Sequence, residues 1–306
     1  MAESKTEKLL EELSSEILRH IHHAGTLRLQ AIGLRMLRRE ESNRSIDCVA
    51  PASVGIICAG SKEARILSRR FAYGAGTCVV MSVDLPDSFE AVAATHENPF
   101  LALSLDLEES VMTTVLARLR EQAESGFSAA AAPASAAAVF PASEAILSAF
   151  LRLLRLADSG DDVPFVAPLV KEELYYRLLT SPGAEAFRVL FRSGTPESRI
   201  RESAAWMRAN YRTDFDVDAV ASRVGMSPAT FYRHFRNVMG SSPRQYVKTL
   251  RLYEGRRLML EEHFDANAAA FEVGYESPAY FSREFKRAFG LPPKAYLVSL
   301  CGGEAA

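Results

Sequence analysis

The sequence predicts an α+β chain: a small N-terminal β-barrel with flanking helices, then an all-α C-terminal third that carries one helical plan twice. Three observations lead there. A twenty-residue segment from Ser227 to Tyr246 recurs, without a gap, from Ser277 to Tyr296. Between about Ile46 and Leu107, short runs rich in Val, Ile, Cys and aromatic residues follow one another at the eight- to twelve-residue spacing of an antiparallel sheet. Ahead of them, Leu9, Leu10, Leu13, Ile17, His20 and Ile21 keep a 3.6-residue period with no proline, which predicts helix from residue 5 to 40.

The strand runs are SVGIICAG, EARILS, RRFAYGAG, TCVVMSV, DSFEAVAAT and FLALSLDL. In a small barrel, inward positions alternate along each strand and often enclose a ligand. That rule nominates a set among Ile56, Cys58, Phe71, Tyr73, Cys78, Val80, Ser82 and Leu103 for the interior, either as packed core or as the lining of an effector pocket. Ser128–Ser143, low in complexity, reads as a flexible connection. Beyond it, Ile146, Phe150, Leu153 and Leu154, then Leu169–Leu179, give amphipathic helices that either build a dimer or cover the barrel.

The two repeat copies, SPATFYRHFRNVMGSSPRQY and SPAYFSREFKRAFGLPPKAY, share nine of twenty residues. Each opens with Ser-Pro, an N-cap followed by a residue preset for the first helical turn. Ahead of the first, Val217, Val220, Ala221 and Val224 form one stripe behind Asp216; ahead of the second, Ala266, Ala269, Ala270 and Val273 do so behind Asp265. A glycine turn, Gly225-Met226 or Gly274-Tyr275-Glu276, joins each pair. Helix, tight turn and helix is the plan whose second helix enters the DNA major groove. Phe231 with Phe235, and Phe281 with Phe285, stand at i and i+4 and must face inward. The opposite faces carry Thr230, Tyr232, Arg233, Arg236 and Asn237 in the first copy, and Tyr280, Ser282, Arg283, Lys286 and Arg287 in the second. Arginine can hold guanine O6 and N7 with two hydrogen bonds, and either cation can meet phosphate. From Ser242-Pro243 a helix runs to about Leu260, roughly 27 Å at the usual rise. It is a rod able to space two reading heads about one DNA turn apart, ~34 Å.

Residues from about 200 to 297 resemble the tandem helix-turn-helix domain of AraC/XylS-type transcriptional regulators. The resemblance rests on GMSPATFYRHF, RLYEGRRLML and VGYESPAYFSREFKRAFGLPPKAY. It implies base readers at Ala229, Tyr232 and Arg233 in the first helix and at Ala279, Ser282 and Arg283 in the second. Gly255 departs from the alanine usual in the linking helix; it either costs ~1 kcal/mol of helix propensity or permits a close helix crossing. Residues 45 to 115 resemble the cupin-like N-terminal domain of one AraC-type subgroup. That resemblance implies an unknown small-molecule effector, small aldehydes and other electrophiles among the candidates, and a homodimer.

The 306 residues suffice for two domains with separate cores. From Pro196 onward there are 16 Lys+Arg against 13 Asp+Glu, or +3, whereas residues 1 to 195 carry 20 against 25, or −5. The C-terminal part is therefore the one suited to double-stranded promoter DNA. No apolar run reaches membrane length and the opening MAESKTEKLLEEL is charged, so a cytoplasmic chain with no membrane partner is expected. Cys48, Cys58, Cys78 and Cys301 lack zinc spacing, and His20, His22, His23 and His96 lack partner ligands. No nucleophile triad, phosphate loop or paired carboxylates appear. The expectation is a regulator without enzyme activity, cofactor or metal, with RNA polymerase as a further partner. It divides into a helical segment (1–45), a cupin-like sensing domain (46–115), a linker and helical, dimerising region (116–195) and a DNA-binding domain (196–300). Two rivals are a thiol or electrophile sensor acting through Cys58 and Cys78, and a cupin enzyme on a DNA-binding tether.

Overall fold

The computed structural model describes residues 4–42, 46–66, 69–122, 134–182, 184, 188–214 and 216–301. Helix α1 is Lys5–His20, started by a capping box in which Ser4 and Glu7 exchange hydrogen bonds. It buries Leu13 and Ile17 and stops at Ile21. The helix expected up to residue 40 is therefore only half present. In its place stands a hairpin of β1 (Gly25–Leu29) and β2 (Leu34–Arg39), turned at Gly33, whose φ of 77° favours glycine. The physical reason is the period of LRMLRR: Leu34, Met36 and Arg38 are buried while Arg35, Leu37 and Arg39 are half-buried, an alternation of two.

The remaining strands are β3 (Ile46–Ala50), β4 (Ser53–Ala59), β5 (Ser61–Ile66), β6 (Arg69–Gly74), β7 (Thr77–Met81), β8 (Leu85–Val92), β9 (Phe100–Asp106) and β10 (Ala137–Pro141). They form two antiparallel sheets, in the orders β1-β2-β9-β4-β7-β10 and β3-β8-β5-β6. Strand β10 corrects the flexible connection expected over Ser128–Ser143. Ala137–Pro141 pairs with Thr77–Met81, and Ser143 caps the next helix; residues 128–133 lie outside the described ones. Strand β10 lies at the edge of its sheet, where Pro141 is tolerated at its end.

Helices α2 (Glu109–Gln122), α3 (Glu144–Leu156) and α4 (Val163–Thr180) follow. The apolar face of α3 is buried throughout, packed against α1 and α4. Ile146 to Leu154 are thus taken up by α1 and α4 and leave no free apolar face on α3. Helix α4 differs, because Phe165 and Leu169 remain 77% and 67% exposed on its outer side.

The C-terminal part consists of α5 (Pro196–Asn210), α6 (Val217–Arg223), α7 (Pro228–Met239), α8 (Pro243–Glu261), α9 (Ala266–Glu272), α10 (Pro278–Phe289) and α11 (Pro293–Cys301). Side chains of Asp216, Ser227, Ser242, Asp265 and Ser277 cap the helices they precede. Pairs α6–α7 and α9–α10 are the two helix-turn-helix units. At Gly274, φ is 87° and an added Cβ would lie 2.1 Å from the Arg212 carbonyl oxygen, so only glycine fits. Gly255 in α8 permits a close crossing, since a Cβ there would stand 3.0 Å from two ring atoms of Phe281. One hydrophobic cluster runs from Leu13 on α1 through the barrel to Phe285 on α10. The separate cores expected for two domains are accordingly joined.

Candidate nucleic-acid interface and effector cavity

Phe231, Phe235, Phe281 and Phe285 are wholly buried, and each pair stacks at 5.6 Å between ring centroids. Burying one face fixes the other outward. On α7, Ala229, Arg233, Arg236 and Asn237 are exposed, while Thr230 and Tyr232 are half-buried. On α10, Ala279, Tyr280, Arg283, Lys286 and Arg287 are exposed and Ser282 is half-buried. The guanidinium of Arg283 lies 5.7 Å from the Tyr280 ring centroid, an aromatic contact that restrains it. Arg287 instead pairs at 2.9 Å with Glu284, a buried carboxylate also held by Lys248 of α8 at 2.6 Å. The bond from Lys248 is the largest of the effects that hold the Glu284 carboxyl below its ordinary range.

Arg251, near the middle of α8, sets the heads relative to each other. Its guanidinium donates to the carbonyls of Tyr211 (2.6 Å), Gly274 (2.8 Å) and Thr213 (2.9 Å). One side chain therefore ties the segment leading into the first unit to the turn of the second. Arg212 adds an ion pair to Glu272 on α9 at 2.5 Å. The same rod touches the barrel: Tyr246 on α8 donates to the Asp84 carbonyl at 2.7 Å, and Arg208 of α5 pairs with the Asp84 carboxylate at 3.1 Å. Ala136, just before β10, donates its amide to the carbonyl of Val238 on α7 at 3.1 Å.

Between the sheets lies a cavity of about 450 Å³. The larger sheet offers it Arg35, Leu37, Arg39, Gly55, Ile57, Val79, Met81, Ala102 and Ser104; the smaller offers Lys62, Asp87 and Phe89; Glu261 of α8 stands at its edge. Strand register explains the choice. Ile56 pairs with Cys78 and with Leu103, and Val54 with Val80, so these share one face, which carries Cys58 as well. That face joins the main core under α1. Of the expected interior set, Ile56 and Leu103 do appear in the lining, whereas Cys58, Cys78, Val80 and Ser82 do not. Phe71 and Tyr73 share the inward side of the smaller sheet with Lys62, and Tyr73 packs with Ile57, Ala91, Phe100 and Ala102 instead of lining the cavity. Of the two alternatives, Cys58, Cys78 and Val80 take the packed core, and the residues alternating with them along the strands face the cavity.

Cys58 and Cys78 are free thiols, fully buried, and loss of solvation drives both thiol pKa values up. Since the thiolate is the reactive form, burial works against thiol sensing through this pair. Among the described residues no group of three or more His, Cys, Asp or Glu is placed to hold a metal ion.

Comparison with known proteins agrees with this architecture. Residues 31–186 match the model of the AraC-type transcriptional regulator N-terminus, just over half of the chain, and residues 220–298 match a helix-turn-helix domain. The chain belongs to the AraC-type transcriptional regulators. It is 27% identical over 143 residues to the transcriptional activator RhaS of Pectobacterium carotovorum, covering 47% of this chain and 50% of that protein. Over 157 residues it is 28% identical to the virulence regulon transcriptional activator VirF of Yersinia enterocolitica, covering 51% and 57%. This AraC-type chain thus spans about half the length of the curated relatives it matches. Its fold is that of Vibrio cholerae ToxT, solved with an unsaturated fatty acid bound, at a TM-score of 0.56 and 12% identity over 90% of this chain and 96% of that one.

Several residues of the interface and cavity escaped the sequence reading. Arg35 and Arg39 stand four apart, which in the expected helix would have put them on its solvent side. Only the period-two pattern of β2 turns them toward the cavity. Glu284 carried a usable signal: it falls between Phe281 and Phe285 on the buried stripe, where a carboxylate needs a cation.

Proposed function

We propose that this AraC-type chain is a sequence-specific DNA-binding regulator of transcription, whose barrel cavity takes a small-molecule effector and whose two recognition helices read adjacent major grooves. The observation that carries the reading is the pair of outward helix faces bearing Arg233 and Arg283, held on one rod by Arg251 and the Lys248–Glu284 pair. The residues placed to touch DNA are those exposed on α7 and α10. A rigid spacing between heads converts two weak contacts into one composite site. No described helix is long and apolar enough to cross a membrane, which suits a cytoplasmic protein with access to promoter DNA and RNA polymerase. Catalysis has no place in this reading.

The proposal includes a homodimer formed through α4, because Phe165, Val166, Leu169 and Tyr176 expose apolar surface along that helix. Effector binding would then act by shifting the population of arrangements available to the four heads. Selection of bound duplexes from a random pool tests the DNA reading. Two sequence elements about one helical turn apart within each half-site are expected; enrichment of a single element, or of none, overturns it.

A further inference from the structure

We propose that Tyr280 is a positioning residue for Arg283. Its ring, backed by Tyr275 and through it by Arg251 of the linking helix, holds the guanidinium in place before DNA arrives, and the first head has no such support. The inference rests on the reading of α7 and α10 as recognition helices, and it says which of the two base readers is preordered.

Four side chains form a ladder from the rod to the reading face. The Arg251 guanidinium lies 5.9 Å from the Tyr275 ring centroid, the Tyr275 and Tyr280 centroids are 5.8 Å apart, and the Arg283 guanidinium stands 5.7 Å from the Tyr280 centroid. At these separations a ring attracts a cation or packs against a second ring. The inner end of the ladder is fixed. Arg251 donates to three carbonyls, and Tyr275, 6% exposed, packs edge-on against the wholly buried Phe281 at 5.2 Å between centroids. The outer end is open, since Tyr280 is 46% exposed and Arg283 is exposed as well. Order in the core is thus carried outward to a side chain that would otherwise sample many rotamers.

The first head lacks both rings. The Tyr275 amide donates to the Ala270 carbonyl at 2.9 Å just as the Met226 amide donates to that of Ala221 at 2.9 Å, so Met226 holds the place of Tyr275 in its turn. Thr230 follows Ser227 by the three residues that separate Tyr280 from Ser277, and so holds the place of Tyr280. Among the described residues, Arg233 has no aromatic, hydrogen-bonding or ionic partner. An unrestrained arginine gives up its rotamer freedom when it grips a base, whereas a restrained one has surrendered part of it beforehand. The second head therefore presents Arg283 already placed, and the first must order Arg233 on contact.

Base preference, measured with the full chain as affinity ratios across a panel of single-base changes in the selected duplex, tests the idea. Tyr280→Leu should reduce the preference at the base pairs governed by Arg283 by about two- to fivefold, the worth of one exposed cation–ring contact. Preference at the pairs governed by Arg233 should not move. Tyr280→Phe keeps the ring and should retain what Tyr280→Leu loses. In an Arg283→Ala chain, adding Tyr280→Leu should reduce preference no further, because the two side chains act through one interaction. The proposal is overturned if Tyr280→Leu has no effect, if its loss adds in full to that of Arg283→Ala, or if both heads lose preference together. It is overturned too if Tyr280→Phe loses as much as Tyr280→Leu, which would put the hydroxyl itself on DNA. A parent chain that selects no specific sequence removes the DNA reading and this proposal with it; specific selection with additive losses sinks this proposal alone.

Discussion

The Tyr246 hydroxyl reaches across from the linking helix to the main-chain carbonyl of Asp84, 2.7 Å away, in the turn between β7 and β8. Asp84 gathers two further bonds there: its carboxylate accepts the amide of Ala52 at 3.0 Å and meets Arg208 of α5 at 3.1 Å. Both the rod and the first helix of the DNA-binding half are thereby referenced to one residue of the barrel. Tyr246 is 2% exposed and its phenol is held un-ionised chiefly by burial. Tyr246→Phe removes a bond to a half-buried carbonyl and should cost about 0.5–1.5 kcal/mol. Amide exchange in the β7–β8 turn and along the start of α8 should rise together; if the midpoint and both segments stay unchanged, the bond does not hold the joint.

Gly255 offers a test with two opposing effects. Alanine gains about 1 kcal/mol of helix propensity, but its methyl would stand 3.0 Å from the ring of Phe281, which is wholly buried. Overpacking a tight core typically costs about 1–3 kcal/mol. Gly255→Ala should therefore lower the thermal midpoint, or at best leave it level. A clear rise would show that the crossing has room.

What the sequence disclosed depended on whether one periodicity could be told from another. The C-terminal third was legible because its repeat aligns two independent copies, so that each Ser-Pro cap and each Phe pair is read twice. Strands β4 to β9 were visible as runs, but their facing was not, since Val, Ile, Cys and Leu occupy both faces of a sheet covered on both sides. Leu27, Leu34 and Leu37 fit a helical stripe as readily as a hairpin, and that ambiguity hid Arg35 and Arg39. Contacts such as Arg251 to Gly274 or Tyr246 to Asp84 join residues far apart in the chain, and no local pattern announces them.

The Lys248–Glu284 pair predicts an acid-side weakness of the second head. The cation lowers the folded-state pKa of Glu284. A depressed carboxylate contributes stability above its unfolded value, about 4.3, and that contribution is lost as pH falls through the lower folded value. The acid limb of the stability curve should therefore flatten in Glu284→Gln, which has nothing left to protonate there. An acid limb identical to that of the parent would assign the loss to other carboxylates.

Helix α4 yields a prediction about assembly. Phe165 is 77% and Leu169 67% exposed, one helical turn apart, and both lie outside the packed surface of α3. Leu169→Lys should leave folding intact, because little of that side chain is buried, while converting the dimer to monomer in sedimentation at micromolar concentration. A parent chain that is already monomeric, or a variant dimer as strong as the parent's, rejects α4 as the interface.

The two arginines give the most direct test of how DNA is read. Arg233 and Arg283 occupy the same position of the repeat, both exposed, each opposite a buried Phe pair. Replacing either with Ala should cost about 1–3 kcal/mol and relax preference at one half of the composite site only. Lys286 is exposed one turn further along α10, and the reading assigns it to phosphate. Lys286→Ala should weaken binding to every sequence alike and reduce the salt slope by about one unit. Quantitative binding of the three variants to a panel of single-base changes separates the roles. If Arg233→Ala and Arg283→Ala disturb the same base pairs, the heads do not sit in adjacent grooves, and the rod formed by α8 does not set their spacing on DNA.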